Sequence, residues 1–449
     1  MTQESKLTLS RRKMLLGLGT VGVAATGAGL GTSAYFNDTE QFANNVLTAG
    51  ELDLLVDYYT YWNQGSHGAG SRIGTVDGTS VSGVLDDVKP GDSGLLAFCF
   101  EIVDNPAYLW TCGELTANHE NGQSEPEMNE STDNTGGDPG ALMGELAAAI
   151  EVDVNYCDIA DNLDASGIDG FDPDDVTHVA DVYEGTLAEF LALAQAGMPL
   201  DGSGTAGVQA PGEQTAFPGS AADPETDAPC LCIEWHVPST VGNEIQTDSV
   251  AFDLEFYAEQ ARHNDGTHNP CADESFSAPY INDEDNSTQI DGTLKMDVNY
   301  GDQFAAYHVQ MDDGNSGPKM SDPLNSVTNI WIPFDVDGDG VIDFQLQWFP
   351  GAGFADDPFG YKEVSGGSWG STQALPAGMT AMSFAESIVF IVPLSMIDPD
   401  TDSAYTVGAH MSAGGEAPYA AISTQSATGE IVPSGQWTDA SYLLDGTIQ

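Results

Sequence analysis

Asp335, Asp337, Asp339 and Asp343 hold the densest ligand chemistry in the chain. They fall at positions 1, 3, 5 and 9 of one short segment, with Gly338 and Gly340 at positions 4 and 6. Calcium gathers several hard oxygens around one point, and a glycine at position 6 allows the sharp turn this needs. Val341 stands at position 7, where such loops contribute a backbone carbonyl. Position 12 is Leu346 rather than glutamate, so the segment is not a complete EF-hand. Its flanks alternate as strands, so the expectation is a calcium loop in a β-hairpin, with calcium as the cofactor. The competing reading is an ordinary acidic turn in a chain rich in them.

Other patterns are weaker. Gly366-Gly367-Ser368-Trp369-Gly370 fits a nucleophile elbow, and Asp398 and His410 follow in hydrolase order. That elbow needs a strand before it and a helix after it, whereas Gly, Ser, Thr and Pro376 surround this one, so a glycine-rich loop is expected. A zinc peptidase would show His-Glu-x-x-His or an equivalent cluster, and the eight histidines are scattered. The chain is therefore read as non-enzymatic.

The N-terminus reads as an export signal. Ser10-Arg11-Arg12-Lys13 precedes an apolar, glycine-rich run, residues 14–31. Twin arginines ahead of such a run mark a dedicated export route, and Thr32-Ser33-Ala34 offers small residues for cleavage after Ala34. The mature chain is expected to begin near Tyr35, outside the cell, with no integral membrane span. Three sequons, at Asn37, Asn129 and Asn286, fit a surface glycoprotein.

In an exported protein an even number of cysteines favours disulfides. Cys99, Cys112, Cys157, Cys230, Cys232 and Cys271 all lie before residue 272. Cys99 and Cys112 flank a segment centred on the turn signal Asp104-Asn105-Pro106, so a Cys99–Cys112 cross-strand bridge is the first expectation. Cys230 and Cys232 share one strand face, so each is expected to bond elsewhere. Zinc fits less well, because Cys-x-Cys is not the usual ligand pair.

The residues after the signal carry a resemblance. Ala34-Tyr35-Phe36-Asn37-Asp38 is followed by Leu47-Thr48-Ala49-Gly50-Glu51-Leu52-Asp53-Leu54, and Val88-Lys89-Pro90-Gly91-Asp92 stands further on. This stretch, to about Arg262, resembles the TasA/camelysin family, whose precursors are cut by SipW-type signal peptidases. The resemblance implies a jelly-roll sandwich with helical insertions and a place in an extracellular matrix or on a cell surface. Members include fibre-forming biofilm matrix proteins, proteins once classed as metallopeptidases, and surface proteins of salt-loving archaea. In fibre-forming members the mature N-terminal segment can complete a neighbouring subunit's sheet. Phe36, Phe42, Val46 and Leu47 are the apolar anchors that reading assigns here. The length, the cysteines and the twin arginines depart from bacterial members.

Composition sets the medium. The chain has 70 acidic and 10 basic residues, a net charge of −60; removal of residues 1–34, which hold four basic residues and one acid, leaves −63. Such a charge strains a compact state unless salt screens it, and at about 1 M salt the screening length is only about 3 Å. A halophilic source is expected. Nucleic acid and anionic membrane surfaces would repel the chain. With 41% hydrophobic residues and many aromatics it can still build real cores.

The elements that must position these groups read as mostly β. Strands are expected at residues 52–56, 93–103, 107–115, 231–237 and 250–257, the second and third as a pair, and helices at 141–150 and 182–194. Residues 201–229 read as a long loop. This organises residues 35–265 as an N-terminal jelly-roll-like β-sandwich with helical insertions. A polar linker, 266–284, leads to a C-terminal β-sandwich, 285–449. In the latter, strands are expected at 293–300, 304–311, 327–334, 342–348, 387–392, 405–411 and 419–423. Two function classes follow. The first is a structural subunit whose partners are copies of itself or other surface proteins. The second is a glycan-binding adhesin using Trp331, Trp348, Tyr361 and Trp369.

Overall fold

Short apolar alternations bounded by Gly, Pro and Asp turns make antiparallel sheets, and strands dominate the computed structural model. It describes residues 52–77, 85, 87–122, 127, 144–160, 171–219, 228–281, 289–312, 329–336, 343–348, 358–365, 368–376, 378–384, 387–397, 406–412 and 419–423. The fold is mostly β and sandwich-like, as expected.

The first sandwich uses β1 (Leu52–Asn63), β2 (Ala69–Asp77), β3 (Ser93–Asp104), β4 (Ala107–His119), β5 (Glu151–Ile159), β6 (Val176–Thr186), β7 (Met198–Leu200), β8 (Cys230–His236) and β9 (Ser249–Gln260). Helix α1 (Leu146–Ala149) precedes β5, and α2 (Leu187–Ala196) follows β6. A six-stranded sheet, β2-β1-β3-β8-β5-β6, faces a three-stranded sheet, β7-β4-β9. Phe98 and Phe100 of β3 meet Phe256 of β9 between them, with ring centroids 5.0 and 4.9 Å apart.

The chain changes sheet at Asp104-Asn105-Pro106. Asp104 adopts φ 66°, and β4 leaves to pair with β9 while β3 stays between β1 and β8. The expected pairing of 93–103 with 107–115 is thus corrected: both are strands, but in opposite layers. Ahead of β3, Pro90 and Gly91 (φ 94°) fill a turn closed by the Asp92 amide donating to the Lys89 carbonyl at 3.0 Å. Pro followed by a positive-φ glycine is the type II pattern. The buried Asp92 carboxylate then accepts the Lys89 amide at 3.1 Å.

The helix expected over 182–194 starts later. Tyr183 and Gly185 continue the ladder of β6 on β5, opposite Val154 and Val152. Thr186 then caps α2: its hydroxyl accepts the Glu189 amide while the Glu189 carboxylate accepts the Thr186 amide. This reciprocal capping box is what ends the strand and starts the helix. The helix expected over 141–150 reduces to the single turn of α1 among the described residues. Except for Ala188 and Glu189, every residue of α2 is buried, including Phe190, Leu191, Ala192 and Ala196. A helix apolar all round belongs inside a protein. Leu191→Ala is expected to cost about 2–5 kcal/mol, read as a lower denaturant midpoint at unchanged slope.

The second set of strands comprises β10 (Glu274–Ile281), β11 (Gln289–Tyr300), β12 (Phe304–Asp312), β13 (Asn329–Asp335), β14 (Phe344–Trp348), β15 (Phe359–Ser365), β16 (Ser368–Trp369), β17 (Thr380–Phe384), β18 (Ser387–Pro393), β19 (Thr406–Ser412) and β20 (Tyr419–Ser423). They form one sheet in the order β16-β15-β14-β13-β19-β20-β10-β11-β12-β18-β17, joined between β10 and β20 by the pair Ile281–Tyr419. The sheet folds over on itself. Tyr307 of β12 lies edge-on to Phe334 of β13 at 5.2 Å, and Phe359 of β15 to Phe390 of β18 at 5.5 Å.

Helix α2 joins the two parts. Ala192 and Ala196 pack with Ala306, Val389 and Ile391. Gln195 Nε2 donates to the Phe304 carbonyl at 2.8 Å, and Asn299 Nδ2 donates to the Gln195 carbonyl at 2.7 Å. Residues 266–284, expected as a linker, contain β10, and from Glu51 onward the chain groups as one compact unit.

Candidate metal centre

The far end of the β4–β9 pair gathers carboxylates from distant parts of the chain. Asn118 and His119 end β4 opposite Val250 and Ser249, so Glu120 emerges beside Asp248. Asn121 Nδ2 donates to the Thr247 carbonyl and the Ser249 hydroxyl, both at 2.9 Å, and Thr247 Oγ1 donates to the Gly122 carbonyl at 2.6 Å. These bonds hold the two strand ends together. On the other side, Asp248 Oδ2 accepts the backbone amides of Glu145 at 2.6 Å and Leu146 at 3.0 Å, at the start of α1. Asn118 Nδ2 donates to the Gly144 carbonyl at 2.6 Å. Gly144 suits a close approach: a Cβ there would sit 3.0 Å from the His119 backbone and 3.1 Å from Asp248 Oδ2, so these neighbours would have to shift.

Within this frame, one oxygen from each of Glu120, Glu127 and Asp248 lies within 4.8 Å of the other two. Glu120 is 2% exposed and Glu127 is fully buried. Both Glu120 oxygens are buried without a hydrogen-bond partner, and so are Asp248 Oδ1 and Asn118 Oδ1. Among the described residues no cationic side chain pairs with Glu120 or Asp248. Burial pushes the Asp248 carboxyl up to about 7; the Glu145 and Leu146 amides pull it down, and the charges of Glu120 and Glu145 push it further up. A buried carboxylate without a partner is costly, so this arrangement calls for protons or a cation.

The cysteines form three disulfides: Cys99–Cys230, Cys112–Cys271 and Cys157–Cys232. The expected Cys99–Cys112 bridge is therefore corrected. Cys99 lies on β3 and Cys112 on β4, in opposite sheets, so the turn between them does not bring them face to face. Cys230 and Cys232 do bond elsewhere, to neighbouring strands on either side of β8. Cys112–Cys271 ties β4 to the segment just before β10.

The calcium loop expected at Asp335–Asp343 connects β13 to β14 as a hairpin, but Asp337, Asp339 and Val341 lie outside the described residues. Asp335 ends β13, and Asp343 is exposed, its carboxylate accepting the Val336 amide at 2.8 Å. The aromatic platform is corrected in part: Trp348 and Tyr361 are buried in the core of the folded-over sheet with Phe334, Phe344 and Phe390. Nothing of the Trp331 and Trp369 side chains is described. Ser368 lies in the β15–β16 hairpin, not at a strand-to-helix turn. Arg11, Arg12, Ala34, the anchors Phe36, Phe42, Val46 and Leu47, and Asn37, Asn129 and Asn286 fall outside the described residues. No helix among the described residues is long and apolar enough to cross a membrane.

No sequence motif marks the carboxylate cluster, because Asp248 is far in sequence from Glu120 and Glu127. The pairing of β4 with β9 brings Glu120 beside Asp248, and Glu127 lies within reach of both. The chain matches no known family model, and no curated protein is significantly similar to it.

Proposed function

We propose that this chain is an exported, non-enzymatic structural protein of the cell surface or extracellular matrix of a halophile, which binds copies of itself by donating its N-terminal segment as a strand. The observation that carries the reading is the place of β9 at the end of the three-stranded sheet. Among the described residues β9 pairs with β4 alone, so three strands stand opposite six. β9 forms the edge of that sheet, with Phe252, Leu254 and Phe256 packed on the core beside it. Such an edge is a template for another strand. Residues 35–47 are of matching length and carry Phe36, Phe42, Val46 and Leu47.

β1 pairs with β3 from Leu52 onward and with β2 from Leu55 onward. In strand addition, main-chain hydrogen bonds supply affinity and alternate side chains supply selectivity. Three disulfides support the export half of the reading, because such bonds persist in oxidising compartments. The excess of acidic residues supports a high-salt medium, and the resemblance to the TasA/camelysin family supports the matrix role.

Competition tests the donor. A synthetic peptide of residues 35–47, added to assembling mature protein at high salt, is expected to shorten or abolish the assemblies. A scrambled peptide should not. Assemblies that form unchanged in excess peptide would mean that another surface joins the subunits.

A further inference from the structure

We infer that Glu120, Glu127 and Asp248 form a binding site for a calcium-type divalent cation at the end of the β4–β9 pair. The argument starts from oxygens, not from acidity. Both oxygens of Glu120 are enclosed without a donor, as are Asp248 Oδ1 and Asn118 Oδ1. In a native interior, buried polar atoms find partners, so a group of orphans at one place indicates something that satisfies them together. A proton shared between two carboxylates satisfies one acceptor. A cation satisfies several at once and neutralises the repulsion as well.

The spacing fits. Calcium binds oxygens at about 2.3–2.6 Å, so oxygens of one ion stand at most about 5 Å apart. The three carboxylates meet that limit, with oxygens within 4.8 Å of one another. The donor set holds no nitrogen or sulfur, which disfavours zinc and copper. Magnesium keeps most of its waters and strict octahedral geometry, while calcium sheds water and accepts irregular cages. A pocket in which Glu120 is 2% exposed and Glu127 fully buried therefore favours calcium. Asn118, whose amide holds the Gly144 carbonyl beside Asp248, offers a further oxygen on the same side. An ion here would tie together the end of β4, residue 127 and the start of β9.

The test uses mature full-length protein, stripped with a chelator and titrated with calcium at high salt, alongside Glu120→Gln and the double variant Asp337→Ala/Asp339→Ala. The double variant separates this site from the β13–β14 loop. Wild type should bind calcium and melt at a higher temperature with it than with chelator. Glu120→Gln should weaken this site by at least the roughly 10–100-fold that loss of an outer-shell partner costs. It should melt below wild type in calcium but level with or above it in chelator, because the substitution removes a repelling charge. The double variant should keep this site. The inference is overturned if wild type gains nothing from calcium, if Glu120→Gln binds as tightly as wild type, or if that variant melts lower by the same amount in both conditions. The last result would make Glu120 merely structural.

Discussion

Reduction of the three disulfides is expected to unfold the N-terminal sandwich under conditions in which the oxidised protein is stable. The bridges close long loops, with separations of 131, 159 and 75 residues. Chain-entropy arithmetic gives each about 4–5 kcal/mol, and measured effects more often reach about 2–4. Either scale is large against a total stability of about 5–15 kcal/mol. Two of the bridges staple β3, β8 and β5 side by side on one face, around Leu95, Ala97 and Phe171. The third anchors β4 to the lead-in of β10. The double variant Cys157→Ala/Cys232→Ala should lose about 2–5 kcal/mol in oxidised denaturant titrations. Unchanged midpoints with and without reductant would show that the sheets hold without the staples.

Deletion of residues 35–47 from the mature chain is expected to leave a folded monomer that no longer assembles. The three disulfides all lie among residues 99–271, outside the deleted segment, so the variant should still fold. What is lost is the donor. Each large side chain among Phe36, Phe42, Val46 and Leu47 would bury against a neighbour for roughly 1.5–3 kcal/mol, and the backbone ladder would go with them. Melting of the deletion variant should match that of wild-type monomer, while sedimentation should show a single small species. A variant that assembles as before would remove the N-terminal segment from the account. Assembly should also strengthen with salt, since subunits of net charge near −60 repel until screened.

Local pattern made much of the fold legible. Strands expected at 304–311, 387–392 and 419–423 appear at Phe304–Asp312, Ser387–Pro393 and Tyr419–Ser423, because short apolar runs bounded by turn residues read as strands whether one face or both are buried. Sheet membership was not legible. Whether β4 turns back on β3 or crosses to β9 depends on contacts more than a hundred residues away, and the cysteine pairing follows from that choice. Val182 and Tyr183 read as helix because Leu187, Phe190 and Leu191 continue the same apolar spacing. The ladder to β5 and the Thr186 cap decide otherwise. The linker reading failed at 274–281, where a strand carrying Ser and Glu sits between β20 and β11. The carboxylate cluster had no sequence signature at all, since its three acids come from two strand ends and the segment between them.

The most direct test of the central claim is sedimentation velocity combined with electron microscopy of the purified mature protein, across concentration at high salt. Strand donation from each copy to the next predicts linear assemblies that lengthen with concentration and share one repeat. A monomer at every concentration and salt tested would contradict the account.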